Sequence, residues 1–138
     1  MNELVIKKYN NVYFEEVVEL LKSSFDINNN IDLIEDNANS FSIIATIDEK
    51  VVGHIRVDKL KNIGKNCYYY YLNYICVDSN YQNKNIGTAL LNYIFEYAKG
   101  DNIKYIELTS NKKRLVANHL YLKAGFVIRD TNVFKKDI

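Results

Sequence analysis

Between Phe41 and Val77 the chain carries three strand-length segments in succession, "FSIIATID", "VVGHIRVDKL" and "CYYYYLNYICV". β-Branched and aromatic residues fill them, and the connections "DEK" and "KNIGKN" are too short to hold a helix. Each segment must therefore turn back on its predecessor as an antiparallel neighbour. Upstream, "ELVIKKY" reads as another strand. "NNVYFEEVVELLKSSF" reads as a helix, with Val12, Phe14, Val17, Val18, Leu20, Leu21 and Phe25 at helical spacing and Asn11 as its cap. "NNNIDLIEDNANS" is an Asn-rich loop with one short helix around 31–36. Downstream, Ile86, Ala89, Leu90, Tyr93, Ile94, Tyr97 and Ala98 share one face of a helix ending at Gly100. "IKYIEL" is a strand and "KKRLVANHLYLKAG" a helix closed by Gly125; "FVIRDTNVFKKDI" supplies a last strand or hairpin. This order predicts an α/β domain (α+β in its mixed sheet), with a mostly antiparallel centre flanked by helices. No repeat or linker divides residues 1–138, which form a single domain large enough to bury a core unaided.

Charge and cysteine content exclude several classes. Cys67 and Cys76 lie in one apolar segment, which suits neither a disulfide framework nor a four-ligand zinc site. His54 and His119 do not form a metal pair by spacing, so no metal is expected. "MNELVIKKYN" lacks the apolar core of a leader and "YYYYLNYICV" is too short to span a bilayer, which predicts a cytoplasmic chain with no membrane partner. A net charge of +1 argues against nucleic acid. That mean hides an imbalance: residues 1–50 hold ten acids against four bases, and the remainder seven acids against fourteen bases. One half suits a cation and the other an anion.

The segment "QNKNIG" directly precedes the amphipathic helix. The first turn of any helix leaves about four backbone N–H groups without intrahelical partners. Here the chain supplies no capping box. It places Gln82, Asn83, Lys84, Asn85 and Ile86 ahead of a glycine at 87 and a hydroxyl at Thr88. Open amides, a helix dipole and a lysine together can grip phosphate oxygens. The dipole contributes only about 0.3–1 kcal/mol, so charge-assisted contacts to the amides must dominate. The dinucleotide and P-loop signatures are both absent, and the same turn also reads as an ordinary helix start.

In context, "ICVDSNYQNKNIGTALLNYIFEYAKG" resembles the cofactor motif of the GNAT superfamily of N-acetyltransferases, with Gln82, Asn85 and Gly87 at its marked places. Asn85 stands where that motif has its first glycine, and asparagine tolerates left-handed backbone angles better than other non-glycine residues. "RLVANHLYLKAGF" is similar to the superfamily's second segment through Ala117, Tyr121, Gly125 and Phe126. The resemblance implies a GNAT-like sheet splayed between two strands. It also implies acetyl coenzyme A (coenzyme A after transfer) bound along Ile75, Cys76 and Val77, over residues 82–88, and against Asn118 and Tyr121. Lys84, Lys112, Lys113, Arg114 and Lys123 are available to its phosphates.

The implied activity is acetyl transfer directly to an amine, on a small molecule or a peptide. The acidic first third favours a cationic acceptor. Tyr121 is the implied acid for the leaving thiolate, and strand amides at 75–77 are the implied donors to the thioester oxygen. An amine of pKa about 10.4 must also lose a proton. Many members of the superfamily use a glutamate where this chain has Asn73, which cannot act as a base. His54, on one strand face with Arg56 and Asp58, is the candidate base. Cys76 reads as a buried thiol rather than a nucleophile. The rival readings are a coenzyme A-binding or sensing module without turnover, suggested by Asn73 and Asn85, and a scaffold domain with a plain helix cap. The acceptor's identity and self-association as a homodimer are left open.

Overall fold

The computed structural model describes residues 3–138; Met1 and Asn2, part of the N-terminal stretch read for a leader, lie outside them. Five strands form one sheet in sequence order: β1 (Leu4–Lys8), β2 (Ser40–Ile47), β3 (Lys50–Asn62), β4 (Cys67–Val77) and β5 (Ile106–Leu108). The first three pairings are antiparallel and β4–β5 is parallel. Helix α1 (Phe14–Phe25) covers one face, where Val17, Leu20 and Leu21 pack with Tyr9, Tyr13, Ile44, Val51 and Cys76. Helix α2 (Ile86–Gly100) covers the other with Ile86, Leu90, Leu91 and Ile94 against Ile43, Ile55, Val57, Tyr70 and Leu72. Helix α3 (Leu115–Lys123) joins this second layer through Tyr121. Among the described residues no helix is long and apolar enough to cross a membrane, and no group of three or more His, Cys, Asp or Glu side chains could hold a metal.

Two close approaches set α2 on the sheet. A Cβ on Gly53 would lie 2.9 Å from Leu90 Cδ1 and 3.3 Å from Ile86 Cγ2, so any side chain there would force those two α2 side chains to shift. A Cβ on Gly87 would lie 2.9 Å from Leu120 Cδ2, which is how α3 comes against the start of α2. At the far end of α2, Tyr70 donates its hydroxyl to Asp101 at 2.6 Å, and Lys59 bridges the same carboxylate at 3.1 Å.

Several expectations need correction. The cap before α1 is Asn10, which accepts from Val12 N–H at 3.0 Å and opens a 3-10 turn over Asn11–Tyr13. No short helix forms around 31–36; that loop is pinned through Asp36 and the Glu35 carbonyl to Arg56 instead. "IKYIEL" narrows to three paired residues. The expected last strand is absent: after α3 the chain turns at Gly125, φ +103°, and residues 126–138 form no regular element. The polar run Arg129–Asn132 breaks the strand alternation, and β5 offers only a three-residue ladder to pair with. The tail is held by Arg129 on Glu107 and by Phe126 packed against Phe95 and Tyr121.

Candidate functional site

The site begins where two strands part. β4 and β5 pair only from Tyr70–Leu72 against Ile106–Leu108, while β4 runs on to Val77. The divergence has a local cause: Arg56 pairs with Asn73 and His54 with Cys76, so one residue of β3 faces two of β4. This is a β-bulge at Tyr74–Ile75, with Tyr74 at φ +48°. Beyond it, Asp78 N–H bonds back across β3 to Val52 O at 2.8 Å. By strand alternation the Val77 and Ile75 amides then point the other way, into the gap, while the Cys76 amide faces β3. Of the three strand residues expected to contact a cofactor, two aim a donor into the gap. Cys76 contributes only a wall.

The gap leads to the front of α2. Asn83 and Asn85 both adopt left-handed angles, φ +63° and +60°, and Asn85 makes no side-chain capping bond. The first intrahelical bond is Ala89 N–H to Asn85 O at 3.0 Å, so the Ile86, Gly87 and Thr88 amides stand ahead of the ladder. Asn85 keeps the backbone shape that a glycine would give. Gln82, itself exposed, donates Nε2 to Val77 O at 3.1 Å and ties the turn to the strand end. Lys84 and Thr88 are exposed, whereas the Ile86 side chain is buried in the core, leaving only its amide available.

Tyr121 closes the other side. Its ring is buried edge-on to Phe126, and burial, with the nearby Cys76 thiol assisting and Arg114 opposing, raises its pKa above the ordinary tyrosine value. The hydroxyl stays protonated at neutral pH, the state an acid needs. Asn118, expected to face the cofactor, donates to Asn111 O at 3.1 Å and staples the turn before α3. A cavity of about 340 Å³ lies between the end of α1 and the end of β4, lined by Ser23, Ser24, Cys76, Asp78, Gln82 and Arg114. Arg114 sits 5.5 Å over the Phe25 ring, which meets Tyr74 edge-on at 5.3 Å, so α1, the bulge and α3 share one wall. Burial pushes the Cys76 thiol up to about 11, which leaves it protonated and poor as a nucleophile. Asp78 accepts from Asn80 N–H at 2.9 Å.

His54 is not placed as a base. It is 1% exposed, its ring nitrogens lie 2.7 Å from Tyr74 O and 2.9 Å from Ser42 Oγ, and burial lowers it to about 4. Asn73 stays at the fork with its Oδ1 buried and without a partner among the described residues; Ser110 Oγ, just past β5, is in the same state. Sequence reading missed Ser42, Ser110 and the bulge, for which single residues give no signal.

The residues present fit a long ligand with a diphosphate at one end. The strand edge beyond the β4–β5 ladder offers amides, the first turn of α2 has no side-chain cap, and Asn73 Oδ1 and Ser110 Oγ are buried without partners among the described residues.

The chain matches the family model described as "Acetyltransferase (GNAT) family" over residues 5–126. No curated protein sequence matches it significantly. Among solved structures, an aminoglycoside acetyltransferase, meta-AAC0020, from an uncultured soil metagenomic sample superposes with a TM-score of 0.87 at 16% identity, covering 98% of this chain and 95% of that one. A ribosomal-protein-alanine N-acetyltransferase from Brucella melitensis biovar Abortus 2308 gives 0.84 at 16% identity, covering 97% and 99%. A GNAT family acetyltransferase from Staphylococcus aureus gives 0.77 at 22% identity over 100% of both chains. At these identities the likeness is one of fold, and it bears out the splayed mixed sheet expected from sequence.

Proposed function

The chain belongs to the acetyltransferase (GNAT) family, and from that premise we propose that it moves an acetyl group from acetyl coenzyme A directly to an amine, with cationic amines as acceptors. The observation that carries the reading is the continuity between the edge of β4 beyond its pairing with β5, where the Ile75 and Val77 amides have no strand partner, and the uncapped first turn of α2. An extended pantetheine suits the first as an added strand would, and a diphosphate suits the second. Bound there, acetyl coenzyme A supplies the acetyl group already activated as a thioester.

The protein's part is positioning and proton placement. One of the two outward amides, Ile75 beside the bulge, would donate to the carbonyl oxygen and stabilise charge that develops on it, while Val77, about 6.6 Å further along the strand, would pair with the pantetheine. The amides of residues 86–88, with Lys84 nearby, hold the phosphates. Tyr121 Oη carries a proton within the second layer, ready for the departing sulfur. With Cys76 protonated, transfer is direct rather than through a cysteine. His54 is sealed and Asn73 cannot accept a proton, so no side-chain base is assigned to the amine.

On the side of α1 and the loop after it, Glu15, Glu19, Asp26 and Asp32 form no ion pair among the described residues and would favour a cationic acceptor. Glu49 and Asp36 are engaged by Lys7 and Arg56. The solved aminoglycoside acetyltransferases of the same fold support a polycationic acceptor by analogy. The test is an amine panel of polyamines, aminoglycosides, lysine-like amines and neutral amines, with free thiol followed over time. Thiol release with the cations ahead of the neutral amines is expected. Preference for neutral or acidic acceptors would overturn the acceptor class. Saturable binding of coenzyme A without thiol release from any amine would favour the binding-module reading, toward which Asn73 points.

A further inference from the structure

We propose that His54 is a positioning residue: its ring donates a hydrogen bond to the Tyr74 carbonyl, holds the β4 bulge open, and so aims the Ile75 and Val77 amides into the gap. The functional consequence rests on the transferase reading above; the clamp itself does not.

The proton arrangement follows from chemistry at the two ends of a buried chain. The Tyr74 carbonyl, 2.7 Å from Nδ1, can only accept, so Nδ1 carries the hydrogen. In a neutral ring Nε2 is then an acceptor, and it accepts a hydrogen bond from the Ser42 hydroxyl at 2.9 Å. Ser42 Oγ in turn accepts from Arg56 Nη1 at 3.0 Å, and a guanidinium can only donate. Donor-only and acceptor-only ends leave one orientation for every group between them. Arg56 is fixed by Asp36 at 2.7 Å, the Glu35 carbonyl at 2.6 Å and Ser40 Oγ at 2.8 Å.

A bulge leaves the extra residue without its ladder partner, and a tyrosine at φ +48° persists only where its surroundings hold it. His54 supplies that hold from the opposite strand, where it is 1% exposed and beyond competition from solvent. Through Arg56 the same chain ties the loop before β2 to the strand that would carry the cofactor. A histidine that merely filled the core would be replaceable by any side chain of similar size.

The experiment uses the full chain with ¹⁵N-histidine and ¹⁵N-backbone labels. Free wild-type protein should show the Nδ1–H tautomer of His54, with no titration between about pH 5 and 8. His54→Asn keeps a donor near the Nδ1 position and should retain the Tyr74 amide–α coupling and bind coenzyme A within about threefold of wild type. His54→Gln places its donor toward Ser42; it should change that coupling and weaken coenzyme A by roughly tenfold or more, with both variants folded by circular dichroism. An Nε2–H tautomer, or a Gln variant that leaves the coupling and the affinity unchanged, overturns the clamp. The expected tautomer and coupling changes in a protein that binds no coenzyme A would support the clamp and overturn the transferase reading.

Discussion

A methyl group added at Gly53 tests how α2, and with it the phosphate-facing turn, is seated. Gly53 pairs with Val77 in the sheet, and the new Cβ of Gly53→Ala would stand 2.9 Å from Leu90 Cδ1, 3.3 Å from Ala45 Cβ and 3.3 Å from Ile86 Cγ2. Leu90 is 0% exposed and Ile86 2%, so neither side chain has space to swing into. Forcing one extra carbon into such a core costs about 1–3 kcal/mol. The loss of glycine's freedom in the unfolded chain returns about 0.4–1 kcal/mol. The net expectation is a destabilisation of about 1–2 kcal/mol, or a Tm lower by roughly 3–6 °C for a chain of this length. Because the displaced residues belong to the first turn and a half of α2, coenzyme A affinity should fall with it. Urea unfolding at 25 °C and calorimetric titration measure the two effects. A double cycle with Leu90→Ala adds a check: the pair should cost less than the sum of the singles, since truncation at 90 removes the clash. A Gly53→Ala protein as stable as wild type, or more so, would refute the packing argument.

Tyr121→Phe should leave coenzyme A affinity within about threefold and lower kcat by about a hundredfold, the usual weight of a positioned acid; full turnover would exclude that role. With no side-chain base, kcat/KM for a lysine-like amine should climb nearly tenfold per unit between about pH 7 and 9, following the neutral fraction of an amine of pKa about 10.4. A plateau set near pH 6.5 would instead implicate an imidazole and refute the absence of a base. The Tyr70 hydroxyl, assisted by Lys59, holds the Asp101 carboxyl below the ordinary carboxylate range. That contribution is complete above the unfolded-state value of about 3.9 and disappears as pH falls through the lower folded-state value. Wild type should therefore lose its urea midpoint faster than Asp101→Asn below about pH 4, and parallel curves would contradict this.

Periodicity and turn chemistry are local properties, and they settled much of this protein in advance. Alternation in residues 41–77 specified three antiparallel strands, and a helical stripe from Ile86 to Ala98 specified which face of α2 is buried. The left-handed tolerance of asparagine made Asn85 readable as a substitute for glycine, and its φ of +60° agrees. Strand parity placed His54, Arg56 and Asp58 together, and they do share the Ser40–Ser42 side of the sheet. What parity could not supply was depth: whether His54 meets solvent depends on α1, the loop before β2 and Arg56 arriving over it from other parts of the chain. The bulge at Tyr74 was equally hidden, because a one-residue offset between β3 and β4 is a relation between two strands, not a property of either. The free amides of Ile75 and Val77 follow from that offset, and no side chain announces them. Sequence thus determined the elements and their buried faces through local spacing. The tertiary structure decided which polar groups are spent on one another and which remain open to a ligand, since only assembly fixes the partner of each donor and acceptor.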